Sequence, residues 1–205
     1  MFNLYNKIDM RRLTKILMLF STIIFMAYSC EKDEEPEIES LNGLTNAKFN
    51  DDMVYGELLD IDGNIYKTIQ IGDQIWMAEN LRTTHYRNGD PIEYIETNTN
   101  WINTTSGAYC NYDNTNEKVQ IATKGRLYNW YAVADIRNIA PCGWHVPSDD
   151  EWNTLISYLG GEDVAGGKLK EIDLLHWDPE NVGATNESGF TSLPSGFRDQ
   201  YYGDF

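Results

Sequence analysis

The sequence predicts an α+β domain of short strands, two helices and long loops, and three observations lead there. Two strand-like runs flank Asp62-Gly63-Asn64, a helix-start signature stands at Ser148 to Glu151, and residues 83–120 between them are rich in Asn, Thr, Tyr and Gly without periodicity. A strand meander followed by helices, with no regular alternation of the two, belongs to the α+β class.

The chain opens on a segment that does not read as fold. Lys7, Arg11, Arg12 and Lys15 form a positive region ahead of Ile16 to Ala27, which is uncharged and rich in apolar residues. A bilayer takes about 20 apolar residues to span, so this shorter run fits a signal peptide instead. Ala27-Tyr28-Ser29-Cys30 places small residues directly before a cysteine and resembles a bacterial lipobox. Residues 1–29 are then a lipoprotein signal peptide, and Cys30 becomes the first residue and the lipid attachment site, carrying acyl chains of the palmitate kind. Several acyl chains hold a protein to a membrane far more firmly than one.

Residues 30–52 read as the lipidated cysteine followed by an acidic linker. Glu31-Lys32-Asp33-Glu34-Glu35 and then Pro36 suit a solvated tether. The run is similar to the acidic post-cysteine signal that sends Bacteroidetes lipoproteins to the cell surface, which implies display on the outer membrane. Removing residues 1–29 takes away four basic groups and one acid, leaving 12 basic against 31 acidic groups and a charge of −19. That surface repels phosphate backbones, so no nucleic-acid partner is expected. The membrane enters as a partner through the lipid anchor.

The domain is expected over residues 53–205. Val54 to Ile61 and Ile65 to Ile71 read as strands around the Asp62-Gly63-Asn64 turn, with Ile65, Ile69 and Ile71 on one face. Gly72-Asp73 turns into a third strand, Gln74 to Met77. Residues 83–120 are expected to be long loops with short strands, a kind of stretch more often functional than idle. Leu127, Trp130, Tyr131 and Ala134 recur at helical spacing and predict the first helix. Ser148-Asp149-Asp150-Glu151 is a capping box for the second, with Trp152, Leu155, Ile156 and Leu159 buried and Gly160-Gly161 ending it. From Ala165 onward the sequence reads as irregular.

These blocks together carry a family likeness. Asp60 to Thr68 and Ile71 to Leu81 closely resemble the start of the Fibrobacter succinogenes major paralogous domain. Gly125 to Ala132 resembles its middle, and Pro141-Cys142-Gly143-Trp144-His145-Val146-Pro147-Ser148 to Trp152 its most distinctive block. Ala165 to Lys170, Ser188 to Phe190 and Leu193 to Arg198 follow in order, so the likeness runs over roughly residues 58–205. The family consists mostly of secreted or lipoprotein modules without a known biochemical activity. The Trp144 to Trp152 block and Gly196-Phe197-Arg198 also look like the sulfatase-modifying, formylglycine-generating fold, a relative of C-type lectins. The resemblance therefore implies a C-type-lectin-like or sulfatase-modifying-factor-like domain. Members usually continue past the Gly-Phe-Arg region to a late cysteine, so a C-terminally incomplete domain is expected here.

No catalytic constellation emerges. Cys110 and Cys142 are an even pair in an oxidising compartment, and a disulfide between them is the expectation. The alternative set by the resemblance is that Cys142 pairs with the absent late cysteine and is left free. The oxidising cysteine pair of formylglycine-generating enzymes lies in a segment this chain does not match. His85, His145 and His176 show neither helical pairing nor a zinc-like cluster. Asp60-x-Asp62-Gly63-Asn64 looks like a calcium loop but lacks the later bidentate acid, and a hairpin turn explains it. No cofactor is expected; calcium stays open, with no ligands named and no metal site assigned.

Aromatic residues in loop-like sequence are the strongest ligand-binding candidates. Trp101, Tyr109, Tyr112, Trp177, Tyr201 and Tyr202 lie beside Asn and Asp, a composition that suits stacking on sugars as well as loop pinning. Trp76, Trp130, Trp144 and Trp152 are expected in the core. The function these features predict is a lipid-anchored, non-catalytic binding or adhesion module for a polysaccharide or a surface protein. An enzyme related to formylglycine-generating oxidases and a purely structural envelope protein are the alternatives.

Overall fold

The computed structural model describes residues 40–205; the signal peptide, Cys30 and the first part of the acidic linker lie outside the described residues. Among the described residues no helix is long and apolar enough to cross a membrane.

Strand β1 (Gly56–Leu59) pairs antiparallel with β2 (Ile65–Ile71), which pairs antiparallel with β3 (Gln74–Met77). The register sets Leu59 opposite Ile65 and Ile71 opposite Gln74, so this sheet is the expected meander. Its first turn is built by Asp60. The carboxylate accepts the Asp62 and Asn64 amides and the Asn64 side-chain N–H, each at 2.9 Å, and the Tyr66 hydroxyl at 2.6 Å. Gly63 supplies the left-handed residue the turn requires, at φ +79°. Both Asp60 oxygens are thereby filled by the hairpin itself.

The second strand is covered on both faces. Tyr66 packs with Met77, Leu81, Tyr86, Ile92 and Trp144, while Ile69 and Ile71 join Trp76, Leu155, Leu159 and Phe190. Ile65, expected beside Ile69 and Ile71, is exposed because it stands at the hairpin tip, beyond the reach of the helices.

The loop-like region holds more regular structure than its composition announces. Strand β4 (Glu93–Tyr94), helix α1 (Asn98–Asn103), strand β5 (Ala108–Cys110), a 3-10 turn (Tyr112–Asn114) and helix α2 (Lys118–Lys124) follow in order. Strand β5 pairs parallel with β4 and antiparallel with β6 (Leu127–Tyr128), forming a second small sheet. Ile95, Trp101, Ala108 and Cys110 make a third apolar cluster beneath it.

The first expected helix shrinks to α3 (Trp130–Val133), and Leu127 belongs to β6. Asn129 is the cause. Its Oδ1 accepts from Ala108 N at 3.0 Å and from Ala132 N at 2.9 Å, and its Nδ2 donates to Ser106 O at 2.9 Å. The chain turns there, and Trp130, expected in the core, is 74% exposed.

Helix α4 (Asp149–Tyr158) starts as predicted. Ser148 and Glu151 form a reciprocal capping box, and His145 Nε2 lies 2.7 Å from the second Glu151 oxygen. Trp152 packs against Trp76, with ring centroids 4.8 Å apart. Helix α5 (Glu162–Leu169) follows at once, so the irregular region begins after Leu169 and not at Ala165. The result is an α+β domain with two three-stranded sheets, as the class expectation had it.

The segment read as linker up to Asp52 is docked onto the domain from Asn42. Asn42 donates to Gly63 O at 2.9 Å and accepts from Ile65 N at 2.8 Å. Lys48 N donates to Glu171 Oε1 at 2.6 Å, Asn50 Nδ2 donates to Asn186 O at 2.9 Å, and Phe49 packs on the Trp76 cluster. Folded structure thus begins ahead of Met53.

Candidate functional site

The hairpin tip, the chain after β3 and the loop before α4 enclose a pocket of about 210 Å³. Leu59, Ile61, Ile139 and Pro141 supply apolar wall, and His85, Arg87 and Cys142 supply polar groups. Two side chains, Asp62 and Arg87, hold this arrangement.

Asp62, the outermost acid of the hairpin turn, reaches across to residues 83–85. Its Oδ2 accepts the Thr84 amide and the Thr83 hydroxyl, the latter at 2.8 Å, and its Oδ1 pairs with His85 Nδ1. Burial pushes the Asp62 carboxyl up, but the Thr84 amide, Thr83 hydroxyl and His85 together bring it below its ordinary value. The carboxylate fixes the ring through Nδ1 and leaves Nε2 without a hydrogen-bond partner among the described residues. Arg87 clamps the opposite wall. Its guanidinium donates to Ala140 O at 3.0 Å, Pro141 O at 3.1 Å and Trp144 O at 2.6 Å, holding the loop that carries Cys142.

Beside the pair runs a row of tyrosines on the second sheet. Tyr109 lies 5.4 Å from Tyr94 and 6.3 Å from Tyr128 between ring centroids, and Arg126 stacks on it at 4.8 Å. The Tyr128 hydroxyl donates to Thr83 O at 2.7 Å, linking the row to the segment that carries His85. Burial raises the phenols of Tyr109 and Tyr128, so both stay protonated donors at neutral pH.

The chain matches the family described as the Fibrobacter succinogenes major domain over residues 69–205. It belongs to that family. No curated protein and no solved structure matches it.

Within this major domain the sequence-predicted residues scatter. The Cys110–Cys142 disulfide does not exist: both thiols are free. Cys110 is wholly buried in the cluster of Ile95, Trp101 and Ala108, where burial pushes its thiol up. Cys142 is exposed on the pocket wall, outside that cluster. Trp101 is buried on α1, with the Arg198 guanidinium 4.8 Å from its ring. Tyr112 sits edge-on to Phe205 at 5.5 Å, and Trp177 is pinned by its N–H to Ser192 O at 3.1 Å. Tyr201 and Tyr202 are exposed in the C-terminal turn, their amides donating to Asp199 Oδ1. Tyr109 alone of the six belongs to the tyrosine row, whose Tyr128 bonds the Thr83 carbonyl of the pocket wall.

Sequence reasoning missed the Asp62–His85 pair and the Arg87 clamp. Asp62 read as a turn residue, and His85, 23 positions further on, is linked to it by no local pattern. Among the described residues no group of three or more His, Cys, Asp or Glu could hold a metal ion.

Proposed function

We propose that the chain is a lipid-anchored cell-envelope protein, displayed on the outer membrane, whose domain binds a polysaccharide or another surface component without turning it over. The observation that carries this reading is the pocket. Leu59, Ile61, Ile139 and Pro141 share one small space with an imidazole oriented by Asp62. Apolar wall suits the C–H face of a sugar ring, and a fixed imidazole nitrogen suits a hydroxyl. A volume of about 210 Å³ favours a single sugar-sized unit. The lipobox and the acidic run after Cys30 support the address. Two small sheets among long loops are compatible with the C-type-lectin-like or sulfatase-modifying-factor-like fold that we assign to the domain.

The test is a glycan panel read with the detergent-solubilised acylated chain, with and without calcium. Binding that falls at least tenfold in His85→Ala and persists in a Tyr201→Ala/Tyr202→Ala variant places the ligand in the pocket. The reverse pattern moves it to the C-terminal turn, and a panel without any binder sinks the reading in favour of a structural role.

One observation favours an enzymatic alternative. Cys142 lines the same pocket as a histidine held by a carboxylate, and a thiol within reach of an oriented base is a nucleophile arrangement. That alternative requires His85 to govern the reactivity of Cys142.

A further inference from the structure

We infer that the tip of the β1–β2 hairpin is the surface that rests on the bilayer holding the anchor; the inference depends on the lipid-anchor reading of Cys30. Asn42 grips the hairpin turn from both sides, through Gly63 O and Ile65 N, at 2.9 and 2.8 Å. Asn42 stands twelve positions after Cys30, so the chain that follows the cysteine meets the domain at this tip. Nine residues lie between Cys30 and Ser40, and fully extended that stretch reaches about 35 Å at most. The tip is thus the part of the domain tied nearest to the acyl chains.

Its surface carries exposed aliphatic side chains although the chain as a whole is strongly acidic. Leu59 is 61% exposed, Ile61 52%, Ile65 41% and Leu44 37%. Leu59 and Ile65 are register partners, which puts their side chains on one face of the hairpin. Ile61 follows in the turn, and Leu44 stands two residues beyond the Asn42 clamp. The two acids of the turn are withdrawn from this surface: Asp60 is buried under Tyr66 and Asn64, and Asp62 is paired with His85. Aliphatic side chains flanked by satisfied polar groups fit the interfacial layer of a membrane. A mature charge of −19 excludes attraction to anionic headgroups, so the partner is a neutral bilayer surface met through these side chains.

The experiment uses the full acylated chain reconstituted in phosphatidylcholine vesicles. Ile61→Trp places an indole at the tip. Tyr158→Trp places one against the Gly72 turn, at the other end of β2, where Tyr158 is 66% exposed. Brominated-chain lipids should quench the added emission of the first at least twofold and leave the second unchanged. Amide exchange at residues 61–65 of the unsubstituted chain should slow on vesicles by a similar factor relative to the detergent-solubilised protein. Equal aqueous accessibility of both indoles, in a chain whose Cys30 peptide carries the acyl mass, overturns the contact and leaves the anchor standing. Quenching at position 158 alone assigns the opposite end and overturns it as well. A Cys30 peptide without acyl mass removes the anchor, and the inference with it.

Discussion

His176 bridges Glu171 and the segment that leads into the domain. Its Nδ1 lies 2.8 Å from Glu171 Oε2 and its Nε2 3.0 Å from Asn46 Oδ1. The Thr123 hydroxyl accepts the Asn46 amide at 3.1 Å and donates to Asn46 Oδ1 at 2.7 Å, which fixes the orientation of that side chain. Glu171 is wholly buried, and its other oxygen takes the Lys48 amide. One buried carboxylate therefore holds both the entry segment and the ring that pins it.

His176→Ala leaves the Glu171 Oε2 buried without its imidazole hydrogen-bond partner. Leaving a buried acceptor without its donor costs about 1–3 kcal/mol. The urea midpoint should drop accordingly, and amide exchange at Lys48 should quicken more than exchange in α4. An unchanged midpoint would show the bridge to be idle.

Arg198 is predicted to resist even a conservative exchange. Its Nε donates to Gly203 O at 2.8 Å, its Nη1 to Ile95 O at 2.7 Å, and its Nη2 to Glu96 O at 2.6 Å and Asn98 Oδ1 at 3.0 Å. The guanidinium also lies 4.8 Å from the rings of both Trp101 and Phe205. A lysine keeps the charge but has neither the fork nor the flat face. Arg198→Lys should cost about 2 kcal/mol, in the range of one to two hydrogen bonds to a charged group. Chemical denaturation followed by tryptophan fluorescence reads it directly.

What the sequence made legible was what neighbouring residues decide among themselves. The Ser148–Glu151 box and the Asp60-to-Asn64 turn are closed by side chains three and four positions apart, and both form as read. Trp130 failed because a helical stripe was inferred across Asn129, whose side chain is engaged by Ala108 and Ser106 more than twenty positions away. Buried Arg82, Glu171 and Arg198 look like surface residues in sequence, since charged side chains usually are. Their partners include Ile65 O, Lys48 N and Ile95 O, backbone groups that no composition rule can point to. The Asp62–His85 pair was hidden for the same reason, as a contact made only once the hairpin folds over residues 83–85.

Acid should weaken the domain through two carboxylates, Asp62 and Asp135. Asp62 is held below its ordinary value against the opposing effect of burial, and Asp135, bonded to Arg137, is brought from 3.8 to about 2. Each gives up its proton more readily folded than unfolded. Each therefore favours the fold fully above the ordinary carboxylate range and loses that contribution as pH falls through its folded value. The urea midpoint should decline as pH drops from 3.8 towards 2. Asp62→Asn lacks one of these contributions, so its deficit against the wild type should narrow as pH falls below the ordinary carboxylate range. A deficit independent of pH would mean that Asp62 acts only as a neutral hydrogen-bond acceptor.

The two free thiols give the sharpest separation between the binding reading and the enzymatic one. Cys142 is exposed on the pocket wall and Cys110 is buried, so an aromatic disulfide reagent should titrate one thiol in the native acylated chain and a second only after unfolding. Two thiols in the native state would show that the Trp101 cluster opens readily, and none would show that Cys142 is engaged elsewhere. The alkylation rate of Cys142 then decides its role. If the Asp62–His85 pair serves only to orient a hydrogen-bonding ring, His85→Ala leaves the rate within about twofold of the wild type. If the pair acts as a base for the thiol, the substitution slows alkylation at neutral pH by about tenfold or more, in keeping with the 10²–10⁴-fold reach of general-base assistance. The second outcome would turn the pocket from a binding site into a candidate active site, with Cys142 as its nucleophile.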